Sequence, residues 1–283
     1  MNPKPYTHRA QRLIEALQTR VLVLDGAMGT ALQQKNLSPA DFGGAEYEGC
    51  NEFLVVTQPE VILSVHEAYL AAGADIVETD TFGGTPLVLA EYGLQDRAYE
   101  INLKAARLAR EAADKFSTPD KPRFVAGSMG PTTKAISVTG GVTFEELIEH
   151  FAAQAKALYD GGVDYFLLET CQDTRNVKAG ILGIQRVLEK EQEQIPIAVS
   201  ITIEPMGTML AGQGVEALAA SLEHVDLLYV GLNCATGPEF MTDHVRTLAG
   251  MAGTRVACVP NAGLPDEEGR YLATPEMIAA VLR

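Results

Sequence analysis

Long hydrophobic runs and cysteines are both scarce in this sequence. No run approaches the ~18 apolar residues that a membrane-spanning helix needs, so no membrane span is predicted. Residues 1–5 are polar and have no apolar stretch behind them, so a secretory signal is not expected. Four cysteines in 283 residues are too few for a disulfide scaffold. We therefore expect a cytoplasmic protein with reduced thiols.

Positive charge is also scarce. The chain has 22 Lys and Arg against 37 Asp and Glu, which makes its formal net charge −15. A strongly acidic surface repels phosphate backbones, and nucleic acid is therefore not expected as a partner. The composition is otherwise that of an ordinary globular protein, with 47% hydrophobic and 21% charged residues. The length fits one large domain or two small ones.

Short apolar runs alternate with alanine-rich amphipathic stretches along the chain. Each run is rich in Val, Ile and Leu and is too short and too evenly apolar for a surface strand. This pattern indicates parallel strands that are buried on both faces. The seven runs lie at 21–25, 75–79, 123–127, 165–169, 197–201, 227–232 and 256–260.

Helix patterns fill the stretches between the runs. Thr143 and Glu146 have the spacing of a capping box at the start of one pattern, and Gly73 stops another. Regular alternation of strand and helix is typical of a parallel α/β fold. The helix patterns lie at 58–72, 96–115, 143–161, 176–191, 214–223 and 238–249.

Two parallel α/β architectures fit this alternation, a (β/α)8 barrel and a doubly wound sheet. The last four runs begin at 165, 197, 227 and 256, so their starts are 32, 30 and 29 residues apart, close to one βα unit each. Nearly every run ends in a polar or glycine-bearing cluster. This favours the barrel, because a doubly wound sheet concentrates such residues at one switch point.

The predicted fold is therefore a (β/α)8 TIM barrel that is truncated before its eighth strand. Thr274 and Pro275 mark a helix start, as N-cap and first helical residue. On the spacing of the preceding units, the eighth strand would begin just past residue 283. We expect residues 1–20 to form an N-terminal helical extension and residues 21–283 to form the barrel domain.

The clusters after the first two runs are candidate binding loops. Asp25 and Gly26 begin the turn DGAMGT, whose glycines let the backbone approach a ligand and whose free N–H groups could hold a carboxylate. A tight strand-to-helix turn explains the same residues equally well. Glu78 and Thr79 end the second run, where they could orient an ammonium group. Helix capping is the alternative for the polar residues that follow them.

Two later strand ends carry residues with stronger chemistry. Glu169 follows the apolar run 165–168, and a buried carboxylate there needs a partner, either a ligand ammonium or a neighbouring Arg or Lys. Cys234 lies where a thiolate could bind a metal or attack a substrate, although a small buried hydrophobe is the commoner fate of a cysteine. None of the five histidines falls in a strand-end cluster, so a His-based catalytic site is not expected.

Taken together, the clusters are more specific than any one of them alone. In chain order, the strand ends carry the motifs DGAMGT, VETDTF, GPT, ET, GLNCATGP and PNAGLP. This series resembles the homocysteine S-methyltransferase family over residues 10–283. The segments at 51–60, NEFLVVTQPE, and at 173–179, DTRNVKA, are similar to the N-terminal homocysteine-binding module of the cobalamin-dependent methionine synthases within that family.

The resemblance implies how such a domain holds L-homocysteine. In the family, the DG turn binds the carboxylate of the substrate, and this turn maps to Asp25 and Gly26. Acidic and hydroxyl groups after strands two and four bind the amino group of the substrate. These groups map to Glu78, Thr79 and Glu169.

The resemblance also implies a zinc ion that is bound by three cysteines. Cys234 matches one of them, and Asn233 before it is carried over as a residue that shapes the site. The other two ligands, the adjacent pair of a GGCC motif in strand eight, are expected beyond Arg283. Zinc would deprotonate the homocysteine thiol, since the thiolate is the nucleophile and a free thiol has a pKa of about 8.5.

In the same branch of the family, the thiolate accepts a methyl group from methylcobalamin to give methionine and cob(I)alamin. Folate, cobalamin and reactivation modules would belong to the same polypeptide, and this chain alone is expected to be inactive. Two alternatives stay open. One is a free-standing homocysteine S-methyltransferase that uses betaine or S-methylmethionine, and the other is a module that only recognises an amino acid.

Overall fold

The computed structural model describes residues 4–263 and 273–282, which contain six strands and eleven α-helices. None of the described helices is long and apolar enough to cross a lipid bilayer. The strands are β1 (Ile76–Glu78), β2 (Phe124–Met129), β3 (Tyr165–Cys171), β4 (Ile197–Ile201), β5 (Tyr229–Asn233) and β6 (Arg255–Val259). The helices are α1 (His8–Thr19), α2 (Met28–Gln33), α3 (Leu54–Thr57), α4 (Pro59–Ala72), α5 (Pro86–Leu89), α6 (Ala98–Phe116), α7 (Phe144–Gly161), α8 (Thr174–Leu188), α9 (Val215–Leu222), α10 (Pro238–Met251) and α11 (Pro275–Leu282).

All six strands pair in parallel, and each lies beside the next one in the sequence. The sheet order is β1-β2-β3-β4-β5-β6. A doubly wound sheet would reverse its strand order at a switch point, whereas an unbroken sequential order belongs to a barrel wall. The predicted (β/α)8 class is therefore confirmed, with the six strands forming a curled part of the barrel.

The first apolar run differs from its prediction as a strand. Residues 21–25 run parallel to β1, but the two share only one isolated bridge, between Leu24 and Ile76. The Asp25 N–H donates to the Ile76 carbonyl at 2.9 Å. Among the described residues this run pairs on one side only, and Val23 is 58% exposed. With a single neighbour to hold it, the run does not extend into a regular ladder.

Helices begin and end where local chemistry predicts. At the start of α7 the Thr143 hydroxyl accepts from the Glu146 N–H, and the Glu146 carboxylate accepts from the Thr143 N–H at 2.8 Å. Helix α4 ends at Gly73, whose φ of 116° is left-handed and suits glycine. Helix α11 follows Thr274, whose hydroxyl accepts from the Met277 N–H at 3.3 Å. The predicted capping signals are thus confirmed.

Helix α1 closes the amino-terminal end of the sheet. Leu13 has no exposed surface and belongs to one core cluster with Ile76 and Phe124, the first residues of β1 and β2. At the same end, the Arg20 guanidinium donates two hydrogen bonds of 2.8 Å to the Asp75 carboxylate. Packing and a bidentate ion pair therefore stabilise the end of the barrel that lies away from the polar strand-end clusters.

His66 is a buried titratable residue of α4. It has no exposed surface, and neither ring nitrogen has a hydrogen-bond partner among the described residues. Burial lowers its pKa to about 4, whereas an unfolded chain has a histidine pKa of about 6.5. The unfolded state therefore binds more protons between these two values, and the free energy of unfolding falls as the pH drops from ~6.5 towards ~4.

We expect the substitution His66→Leu to remove this acid sensitivity. The lowered pKa of His66 reduces the parent's free energy of unfolding by about 2 kcal/mol between about pH 7.5 and about pH 5. The variant lacks this imidazole, so its free energy of unfolding should fall by about 2 kcal/mol less over the same range. Urea unfolding at the two pH values measures the difference. His8→Leu, at an exposed position of α1, is the matched control. Equal pH dependence in the His66 variant and its parent would contradict a buried neutral imidazole.

Candidate active site

A cavity of about 470 Å³ opens at the carboxyl ends of the strands. Ile278 of α11 contributes to its wall, so the last described helix also helps to enclose it. The structure brings six of the seven predicted site residues onto this one surface. They are Asp25, Gly26, Glu78, Glu169, Asn233 and Cys234.

Strand periodicity explains why these side chains converge. Successive side chains of a strand point to opposite faces, so every second residue faces the barrel interior. On β3, Tyr165 and Leu167 belong to the interior core, and Glu169 is the next inward-facing residue. On β5, Tyr229 leads in the same way to Asn233. The polar side chains thus occupy the last inward position of their strands.

Two further polar side chains, Ser128 and Ser200, belong to this layer but are absent from the predicted set. Ser200 lines the cavity, and the Ser128 hydroxyl donates to the Glu169 carboxylate. The alternation within β2 is the signal that could have found Ser128, because Phe124 and Ala126 face the interior core and Ser128 is the next residue on that face. A hydroxyl among the inward-facing apolar residues of a strand indicates a functional role. The same hydroxyl in a loop does not.

Thr79 is the one predicted site residue that does not reach the cavity wall. Only 3% of its surface is exposed. Its hydroxyl accepts from the Ser128 N–H at 3.0 Å and lies 2.6 Å from the Thr81 hydroxyl. The Thr81 hydroxyl in turn donates to the Ser128 carbonyl at 2.7 Å. Thr79 therefore ties the end of β1 to β2.

Three carboxyl groups share the cavity. None of the described residues that line it is Lys, Arg or His, so the neighbouring cation that could have explained Glu169 is not found among them. Desolvation raises the pKa of Glu169 to about 7, and the hydrogen bond from Ser128 opposes this shift. Desolvation and the charge of Glu169 raise the pKa of Glu78 well above its usual range. Desolvation likewise raises the pKa of Asp25, although its carboxylate accepts from the Glu78 N–H at 3.1 Å.

These carboxyl groups are half-buried and poorly solvated, which favours either their protonation or their pairing with a bound cation. Repulsion between the like charges also disfavours the simultaneous ionisation of all three groups. A ligand that carries an ammonium group would supply the balancing charge. Strongly shifted pKa values in a cleft are typical of functional sites, and here they indicate a site for a small cationic group.

Hydrogen bonds hold Cys234 at the rim of the cavity. The Asn233 Oδ1 accepts from the Thr170 N–H at 3.0 Å and from the Ser200 hydroxyl at 2.6 Å. These two donors fix the orientation of the amide, whose NH₂ group then donates to Thr170 Oγ1 at 2.7 Å and to Cys234 Sγ at 3.1 Å. Burial raises the pKa of Cys234, and the bonds from Asn233 and Thr170 oppose that shift. The sulfur is thus oriented by a donor that favours its anionic form.

The backbone around this thiol is strained. Thr170, Cys234 and Ala235 have φ angles of 55°, 58° and 52°, in the left-handed region that residues other than glycine rarely adopt. The Cys234 N–H donates to the Val259 carbonyl of β6 at 3.1 Å, which helps to hold this conformation. Such strain clusters at functional sites, where the surrounding contacts maintain it.

Gly26 forms part of the wall beside Tyr69. A Cβ atom added to Gly26 would lie 2.8 Å from the Tyr69 hydroxyl oxygen and 2.9 Å from its Cε1, closer than real Cβ atoms approach. The Tyr69 hydroxyl also donates to the Ala27 carbonyl at 3.4 Å, which ties α4 to the loop. A larger residue here would push the Tyr69 ring away from the loop, so glycine preserves this packing.

Of the four cysteines, only Cys234 lines the cavity. Cys50 and Cys171 are buried in core clusters, and Cys258 packs against the same cluster as Cys171. Across residues 4–263 and 273–282, no group of three or more His, Cys, Asp or Glu side chains could hold a metal ion. Catalytic zinc sites use three protein ligands. The described residues therefore provide one candidate zinc ligand and not a complete site.

A sequentially ordered parallel sheet, with polar side chains in a cavity at its carboxyl edge, defines a (β/α)-barrel domain. Residues 22–283 match the family model described as homocysteine S-methyltransferase. The chain belongs to the homocysteine S-methyltransferase family, as its strand-end motifs predict.

Two relatives place the chain within this family and fold. The methionine synthase of Mycobacterium leprae is 41% identical over 273 residues, which cover 95% of this chain and 22% of that protein. The crystal structure of the homocysteine methyltransferase MmuM from Escherichia coli matches with a TM-score of 0.74 in its metallated form and 0.67 in its apo form, both at 23% identity. The match to the metallated form spans 88% of this chain and 86% of the MmuM chain, which shows a shared fold.

We expect the substitution Asn233→Ala to destabilise the protein strongly. It leaves the half-buried Thr170 N–H and the buried Ser200 hydroxyl without their acceptor, and an unpaired group shielded from water costs about 1–3 kcal/mol. The free energy of unfolding, measured in urea, should fall by about 3 kcal/mol. Ser200→Ala is the control, because it removes one donor and leaves the bonds between Asn233 and Thr170 intact. Equal losses in the two variants would show that the amide does not organise this network.

Proposed function

We propose that this chain is the homocysteine-binding and activating module of a cobalamin-dependent methionine synthase. The module binds L-homocysteine and presents its sulfur for methylation by methylcobalamin, which yields methionine. The 41% identity to a methionine synthase along 95% of the chain supports this function. The observation that carries it is a single cavity with three carboxyl groups and one thiol but, among its described lining residues, no basic side chain.

Homocysteine has an ammonium, a carboxylate and a thiol group, and the cavity offers a complement to each. Glu169 and Glu78 receive the ammonium group, whose charge offsets the repulsion between them. The substrate carboxylate meets the turn at Asp25 and Gly26. There the main chain is accessible, and desolvation raises the pKa of Asp25, which favours a neutral carboxyl group beside the substrate carboxylate. Thr79 contributes indirectly, because its hydroxyl ties the end of β1, where Glu78 lies, to β2.

The substrate thiol is placed towards Cys234. A zinc ion at this position would keep the homocysteine sulfur deprotonated at neutral pH. Cys234 suits such an ion, because thiolates are preferred zinc ligands and the 3.1 Å bond from Asn233 to Sγ resembles the outer hydrogen bonds that orient metal ligands. In this proposal, the other two ligands are the adjacent cysteine pair that the family resemblance implies.

The remaining modules belong to the same polypeptide in this proposal. Methylcobalamin is held by a cobalamin module, and folate and reactivation modules accompany it. The length of the relative supports this organisation, since the matching region makes up 22% of the Mycobacterium leprae protein. Reduced thiols and a cytoplasmic location are part of the same proposal.

A free-standing homocysteine S-methyltransferase that uses betaine or S-methylmethionine is the second candidate. The match to MmuM, 86% of whose chain is covered, favours it. The deciding experiment offers methylcobalamin, S-methylmethionine and betaine separately to the purified full-length protein with homocysteine. Methionine formed from methylcobalamin alone supports the proposal, and methionine from either other donor supports the alternative. Binding that zinc chelation does not change, without any methyl transfer, indicates a module that only recognises an amino acid.

The substitutions Glu169→Gln and Asp25→Ala should weaken homocysteine binding more than they weaken folding. Each removes one charge-assisted contact worth about 1.5–3 kcal/mol, which corresponds to about 10- to 100-fold in affinity. Steady-state kinetics and thermal melting of the full-length variants measure the two effects. Glu111→Gln, an exposed position of α6, controls for loss of one carboxylate. Variants that melt far below their parent while the folded fraction keeps normal affinity would show a structural role.

Zinc content gives a separate test of Cys234. A polypeptide of residues 1–283 should bind no stoichiometric zinc under reducing conditions, because one thiol with water is a weak site. The full-length protein should bind one zinc per chain and lose it on the substitution Cys234→Ser. Metal analysis of the purified proteins measures this. One tightly bound zinc in residues 1–283 would mean that another residue, such as Cys171 or Cys258, is a ligand.

A further inference from the structure

Ser128 lies at the last inward-facing position of β2, with 2% of its surface exposed. Its main chain is fully engaged. The N–H donates to Thr79 Oγ1 at 3.0 Å, and the carbonyl accepts from the Thr81 hydroxyl at 2.7 Å and from the Gln154 side-chain NH₂ at 3.4 Å. These bonds fix the position of the residue, so its hydroxyl is the one group left for a contact of its own.

That hydroxyl donates to Oε1 of Glu169. Within the described part of the chain, no other donor reaches the Glu169 carboxylate. The nearby Asp25 carboxylate accepts a backbone N–H instead, from Glu78 at 3.1 Å. Both the direction of the Glu169 carboxylate and its ionised form therefore depend on a single hydroxyl group.

Packing gives no other reason for a serine at this position. Phe124 and Ala126, which precede it on the same face of β2, belong to the apolar interior core. An alanine would continue that core, whereas a buried hydroxyl is unfavourable unless it is hydrogen-bonded. Ser128 is also absent from the described wall of the cavity, so it acts on a ligand only through the side chain that it holds.

We propose that Ser128 is a positioning residue for substrate recognition, whose hydroxyl holds Oε1 of Glu169 so that Oε2 faces the ammonium group of homocysteine. The inference rests on the proposed function, in which Glu169 binds that ammonium group. It adds that the hydrogen bond from Ser128 to Glu169 makes the cavity prefer homocysteine to the same compound without an amino group.

The test compares two ligands that differ only in the amino group, L-homocysteine and 4-mercaptobutanoate. Isothermal titration of the full-length, zinc-containing protein gives the ratio of their dissociation constants. Ser128→Ala should reduce the preference for homocysteine by about 10-fold, the size of one hydrogen bond to a charged group. It should leave the affinity for 4-mercaptobutanoate nearly unchanged. Ser128→Thr keeps the hydroxyl and should restore the preference.

A pH series provides a second readout that a merely structural role would not move. The hydrogen bond from Ser128 opposes the raised pKa of Glu169, which is about 7. Its loss should raise that pKa further. The pH below which the preference for homocysteine disappears should therefore move upward in Ser128→Ala, and Ser128→Thr should return it to the parental value.

Matched variants separate this role from damage to the fold. Ser200→Ala removes a buried hydroxyl on the neighbouring strand that bonds to Asn233, so it should change the affinity for both ligands alike. Thermal melting checks that each variant is folded. If Ser128→Ala melts far below its parent, Ser128→Cys, which keeps the shape with a weaker donor, gives the same readout.

A double-mutant cycle with Glu169→Gln completes the test. In that background Ser128→Ala should cause no further loss of preference, because the carboxylate through which it acts is gone. Equal weakening of both ligands by Ser128→Ala, or a further loss in the Glu169→Gln background, would overturn the positioning role. A Glu169→Gln protein that keeps the full preference for homocysteine would instead overturn the proposed function.

Discussion

Hydrogen bonds between parallel strands bring every carboxyl end to the same edge of the sheet, and the chemistry of the domain depends on that alignment. The alternation of each strand then decides which residue stands last on the inward face. On β3 this residue is Glu169, above Tyr165 and Leu167 of the interior core. Because the residues beneath it are apolar and buried, the carboxylate is poorly solvated, and its pKa rises to about 7.

The carboxylates at the two ends of the barrel differ in whether a basic side chain pairs with them. At the amino-terminal end, Asp75 is paired with Arg20, and Asp164 accepts from Arg9 and Arg110. The hydrogen bonds from Arg20 and the Val23 N–H outweigh desolvation and lower the pKa of Asp75. At the mouth, no basic side chain is found among the described lining residues, and the pKa values rise. Ion pairs therefore stabilise one end, while the carboxyl groups at the other end lack a described cationic partner. In the proposed function, the ammonium group of homocysteine is that partner.

Strain at the mouth is maintained by the same alignment. Thr170 and Cys234 have left-handed backbones at the ends of β3 and β5, and Asn233 bonds to both. The Asn233 NH₂ group is directed at Thr170 Oγ1 and Cys234 Sγ because the amide oxygen accepts from the Ser200 hydroxyl and the Thr170 N–H. A thiol held this way is oriented before any ligand arrives, which lowers the ordering that binding or metal coordination requires.

The sequence by itself determined the α/β class, the sequential strand and helix order and most of the cavity wall, because apolar runs, caps and strand-end polar residues are local signals. Glu78 and Glu169 were predicted from such signals and Cys234 from the family motif, and all three line the cavity. Only the tertiary structure decided that Thr79 turns into the sheet while Ser128 reaches Glu169. It also decided that the described wall holds no basic side chain. These facts depend on register and on which strands become neighbours, and both arise only when residues far apart in the chain are paired.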